Sequence, residues 1–308
     1  MYFPIIRGKQ YDLLALRDVS AKLAAQDDIV PIIEPCKTNG SVKLSFSGYV
    51  AANMRFGVVI NPCVGDLDSQ DVEDDIIDYC LDEYDNYYIA INIDERTQKS
   101  FLEDTCKKYE GLSFIAVYYG APQKEVENFL LSTSSFDFHL FRHGKTPTPF
   151  RAKFPVSKKG IIEDHFNRQE RNADYEDEEF FSDAHLRVPN EEYHNFGDYS
   201  VVGAGYSDGG GAAYAVALHH VYAKADEKNA LYIRHYVSDS NDTPTDPGGK
   251  FLEALDKLVA DLNILGHANL TDTCDEYRDL HVRQHFPGLG YAKKLGMTHH
   301  LEIMMKMF

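Results

Sequence analysis

The chain has no tryptophan, five cysteines and no apolar run long enough to cross a bilayer. The cysteines are Cys36, Cys63, Cys80, Cys106 and Cys274, and none forms a CxxC pair. Their odd number and wide spacing argue against a disulfide framework and against a cysteine zinc site. Reduced thiols packed as core filler fit better. Basic residues are also scarce, 31 Lys and Arg against 49 Asp and Glu, for a net charge of −18. Such a surface repels phosphate backbones, so binding of duplex nucleic acid is not expected, although a local basic pocket still suits a single anionic group. The opening Met1-Tyr2-Phe3-Pro4 lacks a charged segment followed by an apolar one, so no signal peptide is expected. With no membrane span either, the cytoplasm is the default compartment.

What is present is a rhythm. Short Ile- and Val-rich runs start near residues 3, 29, 57, 87, 113, 138, 160 and 200. Most lack alternation, as strands buried on both faces do. Helical spacing appears between them over 10–25, 69–84, 97–109 and 122–131. Strands alternating with helices imply parallel βα units. The expected fold is an α/β, TIM-like (β/α)8 barrel. Residues 1–206 would carry its eight strands, the eighth being Ser200-Val201-Val202-Gly203-Ala204. The runs 215–222 and 230–236, joined by a charged turn, predict a β-hairpin inserted after the eighth strand, within 207–246. An amphipathic helix over 250–262 and a helical tail broken near Pro287-Gly288 fill 247–308. The whole, 1–308, reads as one barrel domain. The segment 144–157 shows no good helix, and 172–195, with its acidic run, reads as a long loop with some helix.

The opening Met1-Tyr2-Phe3-Pro4-Ile5-Ile6-Arg7-Gly8-Lys9-Gln10-Tyr11, followed by Ile29 to Pro35, resembles the "beta protein" family of phage and bacterial genomes. The segments Leu231 to His235, Gly249 to Leu255 and His285 to Tyr291 resemble its bacterial branch. The resemblance covers nearly the whole chain. It implies a barrel-like α/β fold and carries over no catalytic residues. It also implies a setting: genes beside small nuclease-like proteins, and so a two-component system in mobile-element conflict or phage defence.

In α/β barrels, sites lie at the C-terminal ends of the strands. The residues just past the apolar runs are therefore the candidates. Glu34, Asp94, His143 and Glu163 are the catalytic candidates, and Arg7, Lys9, Asn61, Asn92 and Arg142 the ligand-binding ones. Glu34 suits a general base or metal ligand, or else an ion pair with Arg7 on the neighbouring strand. Arg7 and Lys9 suit a phosphate or carboxylate, or the Glu34 partner role. Asn92 and Asp94, two apart, share a strand face and with Glu34 could hold Mg²⁺; their alternative is turn capping. Arg142-His143-Gly144 bears a superficial likeness to phosphoesterase motifs. Glu163 and His165 would point one way and suit a metal. Gly209-Gly210-Gly211 is a lid or a plain loop. His219-His220, His235 and His299-His300 lack the HxE, HxD and HExxH spacings and read as structural.

Two functions follow. In the first, the barrel belongs to a mobile-element or phage-defence system and binds an anionic ligand or a partner protein, such as a nuclease-like protein encoded nearby, at its mouth. In the second, it is a metal-assisted hydrolase or phosphodiesterase acting on a phosphate-containing small molecule or nucleotide. Replacing Glu34 by Ala is expected on either reading to remove function and leave the fold.

Overall fold

The Ile/Val-rich runs form a parallel sheet because each is buried on both faces. In the computed structural model, which describes residues 1–188, 191–209 and 213–308, the strands are β1 (Ile5–Arg7), β2 (Ile32–Glu34), β3 (Phe56–Val59), β4 (Tyr87–Ile93), β5 (Ser113–Tyr118), β6 (Phe136–Arg142) and β7 (Lys159–Ile162). Next in sequence, β8 (Glu178–Ser182) belongs elsewhere, and β9 (Asn195–Gly197) completes the set. Neighbours pair in parallel in the order β1-β2-β3-β4-β5-β6-β7-β9. The two edges then meet. Phe3 N–H donates to Phe196 O and Ile5 N–H to Asp198 O, both at 2.8 Å, and Tyr2 bridges to Phe196. The result is a nearly closed eight-stranded barrel, so few backbone groups at the edges are left unpaired.

The eighth barrel strand is thus Asn195-Phe196-Gly197, not 200–204. Residues Ser200–Val202 form one turn of 3₁₀ helix, with Ser200 at φ +52° and Gly203 at φ +72°. A chain that turns left-handed at both ends of a five-residue run cannot extend into a strand. The strand actually used holds a single apolar residue, Phe196, and so gives no hydrophobic signal.

Helices surround the strands. They are α1 (Gln10–Asp18), α2 (Ser20–Leu23), α3 (Gly40–Ala51), α4 (Ser69–Val72), a π turn (Glu73–Ile77), α5 (Asp78–Cys80), α6 (Lys99–Lys108), α7 (Lys124–Ser132) and the single turns α8 (Thr148–Arg151) and α9 (Ala184–Arg187). Caps fix several starts. The Asn39 side chain accepts from Ser41 and Val42 N–H, and Asp68 forms a reciprocal box with Asp71.

The chain divides into two compact units. The first is Met1–Leu13, Ser20–Glu163 and Ala184–Asp198, which holds the barrel; the second is Leu14–Val19, Asp164–Asp183 and Tyr199–Phe308. In the second, β10 (Ala217–Lys224) and β11 (Ala230–Val237) form the expected hairpin. β8 adds to β11 antiparallel, so the segment read as a loop supplies a strand. Then follow α10 (Pro247–Leu262), α11 (Asp272–Val282) and α12 (Leu289–Met305). Phe251, Leu255 and Leu258 of α10 pack with Tyr277, Leu295, Val216 and Leu218 in one core. Gly210 and Gly211 of the glycine loop lie outside the described residues. Among those residues, no helix is long and apolar enough to cross a membrane.

The barrel unit also buries a histidine. His139 on β6 shares a hydrogen bond between Nδ1 and Tyr118 Oη, 2.9 Å away, and its ring lies 4.3 Å from the Phe154 ring. Burial pushes it down to about 3. An unfolded chain protonates this imidazole near its ordinary value of about 6.5, while the folded one does not. Stability from this group is therefore complete above that value and lost as pH falls toward 3. Between pH 6 and 4, urea unfolding is expected to show the wild-type advantage over His139→Phe shrinking by about 1.4 kcal/mol per pH unit. A pH-independent difference would mean that His139 is protonated in the fold.

The barrel seam gives a second test. A Cβ on Gly197 would lie 2.2 Å from Phe3 O, across the closing pair β9 and β1. Backbone cannot yield there without breaking the seam. Gly197→Ala is expected to lower unfolding free energy by about 2–4 kcal/mol, while the same change at the open Gly40 should alter it by less than about 1 kcal/mol.

Candidate functional site

The strand ends place one buried carboxylate at the centre of the mouth. Glu34, the last residue of β2, is 1% exposed. Its Oε2 pairs with Arg7 Nη1 at the end of β1, itself 5% exposed. Its Oε1 accepts from the Cys63 N–H at 2.8 Å and from Asn92 Nδ2 at 3.2 Å. Tyr119 Oη stands 3.5 Å from Oε2. A carboxylate so deeply buried persists as an ion only where charge and N–H donors replace water, and here they do.

Asn61, just past β3, is locked to Asn92 on β4. Asn61 Nδ2 donates to Asn92 O and Asn92 N–H to Asn61 Oδ1, each at 2.8 Å. The loops after β1 and β2 come unusually close. A Cβ on Gly8 would meet Cys36 N at 2.6 Å, so only glycine lets Gly8 N–H reach Glu34 O at 2.8 Å.

Beside this cluster opens a pocket of about 400 Å³. Asn61, Cys63, Asn92, Arg96, Phe101 and Tyr119 are among the residues that line it. Arg142, at the end of β6, lays its guanidinium over the Tyr119 ring, 4.3 Å from the centroid. That stacking orients a cation beside the pocket.

The remaining sequence candidates have other company. Asp94 lies one residue past β4 and accepts from Arg96 N, Nε and Nη2 and from Thr97 Oγ1. Burial raises its carboxyl, but the Arg96 guanidinium and the N–H groups outweigh it and hold it below the usual range. It caps the turn and lines the pocket at once. Glu163 follows β7 and pairs with Arg187, with His143 Nδ1 at 3.5 Å. Lys9 contributes its carbonyl to Leu13 N–H, opening α1.

The structure therefore brings Arg7, Glu34, Asn61 and Asn92 into one network. Asp94 lines the adjoining pocket, Arg142 stacks on Tyr119 of its lining, and His143 and Glu163 form a separate pair. Each candidate carboxylate is engaged by a cationic side chain of the protein. Among the described residues, the one group of three or more His, Cys, Asp or Glu suited to a metal belongs to the second unit and includes none of these candidates.

Tyr119, Cys63 and Arg96 were not singled out from sequence. Tyr119 had a signal: it directly follows β5, whose alternation turns Tyr118 into the aromatic core with Phe141, Phe150 and Phe154 and Tyr119 to the other side. Cys63 and Arg96 sit in loops whose course no periodicity reveals.

Removing Glu34 would leave Arg7 buried without its counter-charge. Glu34→Leu is expected to destabilise by about 3–5 kcal/mol in urea unfolding, and the double variant Arg7→Met/Glu34→Leu to recover part of that loss. Equal losses in the single and double variants would show that the pair contributes nothing to the fold. No protein-family model, curated protein or solved structure matches the chain.

Proposed function

We propose that the barrel is a ligand-binding module that takes a small anionic molecule in the pocket at its C-terminal mouth. The observation that carries this is the Arg142 guanidinium held on the Tyr119 ring at the edge of a 400 Å³ pocket. A cation held in place loses little freedom on meeting an anion, so a charge-assisted contact there is strong for its size. Arg96 adds a second guanidinium, and Asn61, Ser69, Thr97 and Gln98 offer polar groups around the apolar faces of Pro62, Ile93 and Phe101. That combination fits a ligand with a flat apolar part and an acidic part, as a nucleotide has.

Binding is favoured over hydrolysis by the state of the carboxylates. Glu34 is clamped by Arg7, Asp94 by Arg96, and Glu163 by Arg187. A general base or an Mg²⁺ ligand would have to be released from these partners first. The wider reading follows the "beta protein" resemblance: the barrel serves a mobile-element or phage-defence system, and a nuclease-like partner performs the chemistry.

Thermal unfolding with nucleoside mono- and diphosphates tests the site. A saturable rise in Tm is expected for wild type. Arg142→Ala should weaken binding about 10–100-fold, the usual range for loss of one charged hydrogen-bond partner, and leave the unliganded Tm near wild type. No stabilisation by any of these anions, or equal stabilisation of the variant, overturns the proposal. Turnover of the bound nucleotide would favour the hydrolase reading instead.

A further inference from the structure

Three side chains far apart in sequence meet in the interior of the second unit. His220 comes from β10, Cys274 from α11 and His299 from α12, and all three are buried. One ligand atom of each lies within 4.8 Å of the other two. No spacing motif joins positions 220, 274 and 299, so only the fold assembles them.

His299 is already arranged as a metal ligand. Its Nε2 stands 2.7 Å from Val221 O, and a carbonyl only accepts, so the proton sits on Nε2. Nδ1 then carries the lone pair, 2.8 Å from Thr271 Oγ1 and 3.8 Å from Cys274 Sγ. Around a tetrahedral zinc, with bonds of about 2.0–2.1 Å to nitrogen and 2.3 Å to sulfur, those two atoms stand roughly 3.6 Å apart. Donation of the other ring N–H to a backbone carbonyl is the usual outer contact of a ligating histidine.

His220 supplies the independent observation. It is wholly buried, and neither ring nitrogen has a hydrogen-bond partner among the described residues. Leaving a buried donor and a buried acceptor unmet is costly, and an apolar ring would avoid that cost. The ring stacks on His299 at 3.7 Å with 13° between planes. In the stack the two ring planes, and the lone pairs that lie in them, are nearly parallel. Turning the His220 ring makes them converge, and it surrenders no hydrogen bond in doing so. Burial holds both imidazoles neutral, His299 at about 4 and His220 well below its ordinary value.

We propose that His220, Cys274 and His299 form a buried structural zinc site that ties β10 to α11 and α12. Binding exchanges the Cys274 S–H bond for a zinc–thiolate bond, and the proton leaves to solvent. Zn²⁺ with one thiolate retains a single positive charge. Glu302, one turn beyond His299 on α12, is 6% exposed and acts electrostatically on both His299 and Cys274, so it balances that charge. The fourth corner faces Thr271 Oγ1, 2.8 Å from His299 Nδ1 and 3.6 Å from Cys274 Sγ.

The test uses the full chain, grown with zinc and then exchanged with Co²⁺. Wild type is expected to carry about one zinc per chain, as a single closed site requires. Its cobalt form should show a thiolate-to-metal charge-transfer band and tetrahedral d–d absorption. Chelation should lower Tm by several degrees, and added Zn²⁺ should restore it. Cys274→Ser should lose the charge-transfer band, and His220→Phe should lose the metal. His220→Phe keeps a buried ring and removes the unmet nitrogens, so it is expected to fold. A wild type that carries no metal and gains no Tm from Zn²⁺ overturns the proposal. Full zinc content with an unchanged cobalt spectrum in either variant overturns it as well.

Discussion

The mouth of the barrel is organised around one buried negative charge. Glu34 has no water to solvate it, so each oxygen must be met by protein donors. Those donors come from different parts of the chain: Arg7 at the end of β1, the Cys63 amide in the loop after β3, and Asn92 on β4. A slip of one residue in any of these strands would turn its donor to the opposite face and strand the charge. The carboxylate thus penalises wrong register across the first half of the barrel. It also explains why the chain spends a glycine at position 8, where a Cβ would hold the loops after β1 and β2 apart.

The same constraint sorts the polar residues of the mouth into two kinds. Arg7, Glu34, Asn61 and Asn92 engage one another in one network. Tyr119 and Arg142 stack on one another, which orients a guanidinium. On the proposed reading, oriented guanidinium groups beside cancelled charges would attract an anion despite a net charge of −18 over the whole chain. Local arrangement outweighs the global sign because exposed charges beyond about 10 Å are screened at ordinary salt.

Much of the barrel was legible because burial on both faces leaves a continuous apolar run. Ile29 to Ile33 and Tyr87 to Ile91 show it, and the polar residues after them do mark the mouth. The eighth strand escaped because Asn195-Phe196-Gly197 is held by its edges rather than by its side chains: its backbone closes on Phe3 and Ile5, and Gly197 is there for close approach. The helix α3 escaped for another reason. Its serines and glycines blur the apolar stripe, and Asn39 alone announces its start. β8 lay hidden in an acidic run, since Glu178 and Glu179 look solvated in sequence yet meet Arg234 and His235 in the sheet. Of the site, the strand-end residues were readable, but which of them cancel one another was not, because pairing depends on neighbours that lie about 25–60 residues away.

The two buried polar clusters differ in how fully their hydrogen bonds are met. Around Glu34 the sums close: every oxygen has donors, and the ion is explained by the fold itself. Around His220 they do not, although the residue is as deeply buried and its neighbour His299 is fully engaged. A chain under no further constraint gains by placing an apolar ring at such a position. A retained imidazole, beside a thiol and a second imidazole whose lone pair already faces that thiol, marks a partner that is neither backbone nor side chain. Water could meet one nitrogen but would itself need further polar partners. A thiophilic cation needs only the lone pairs that are there.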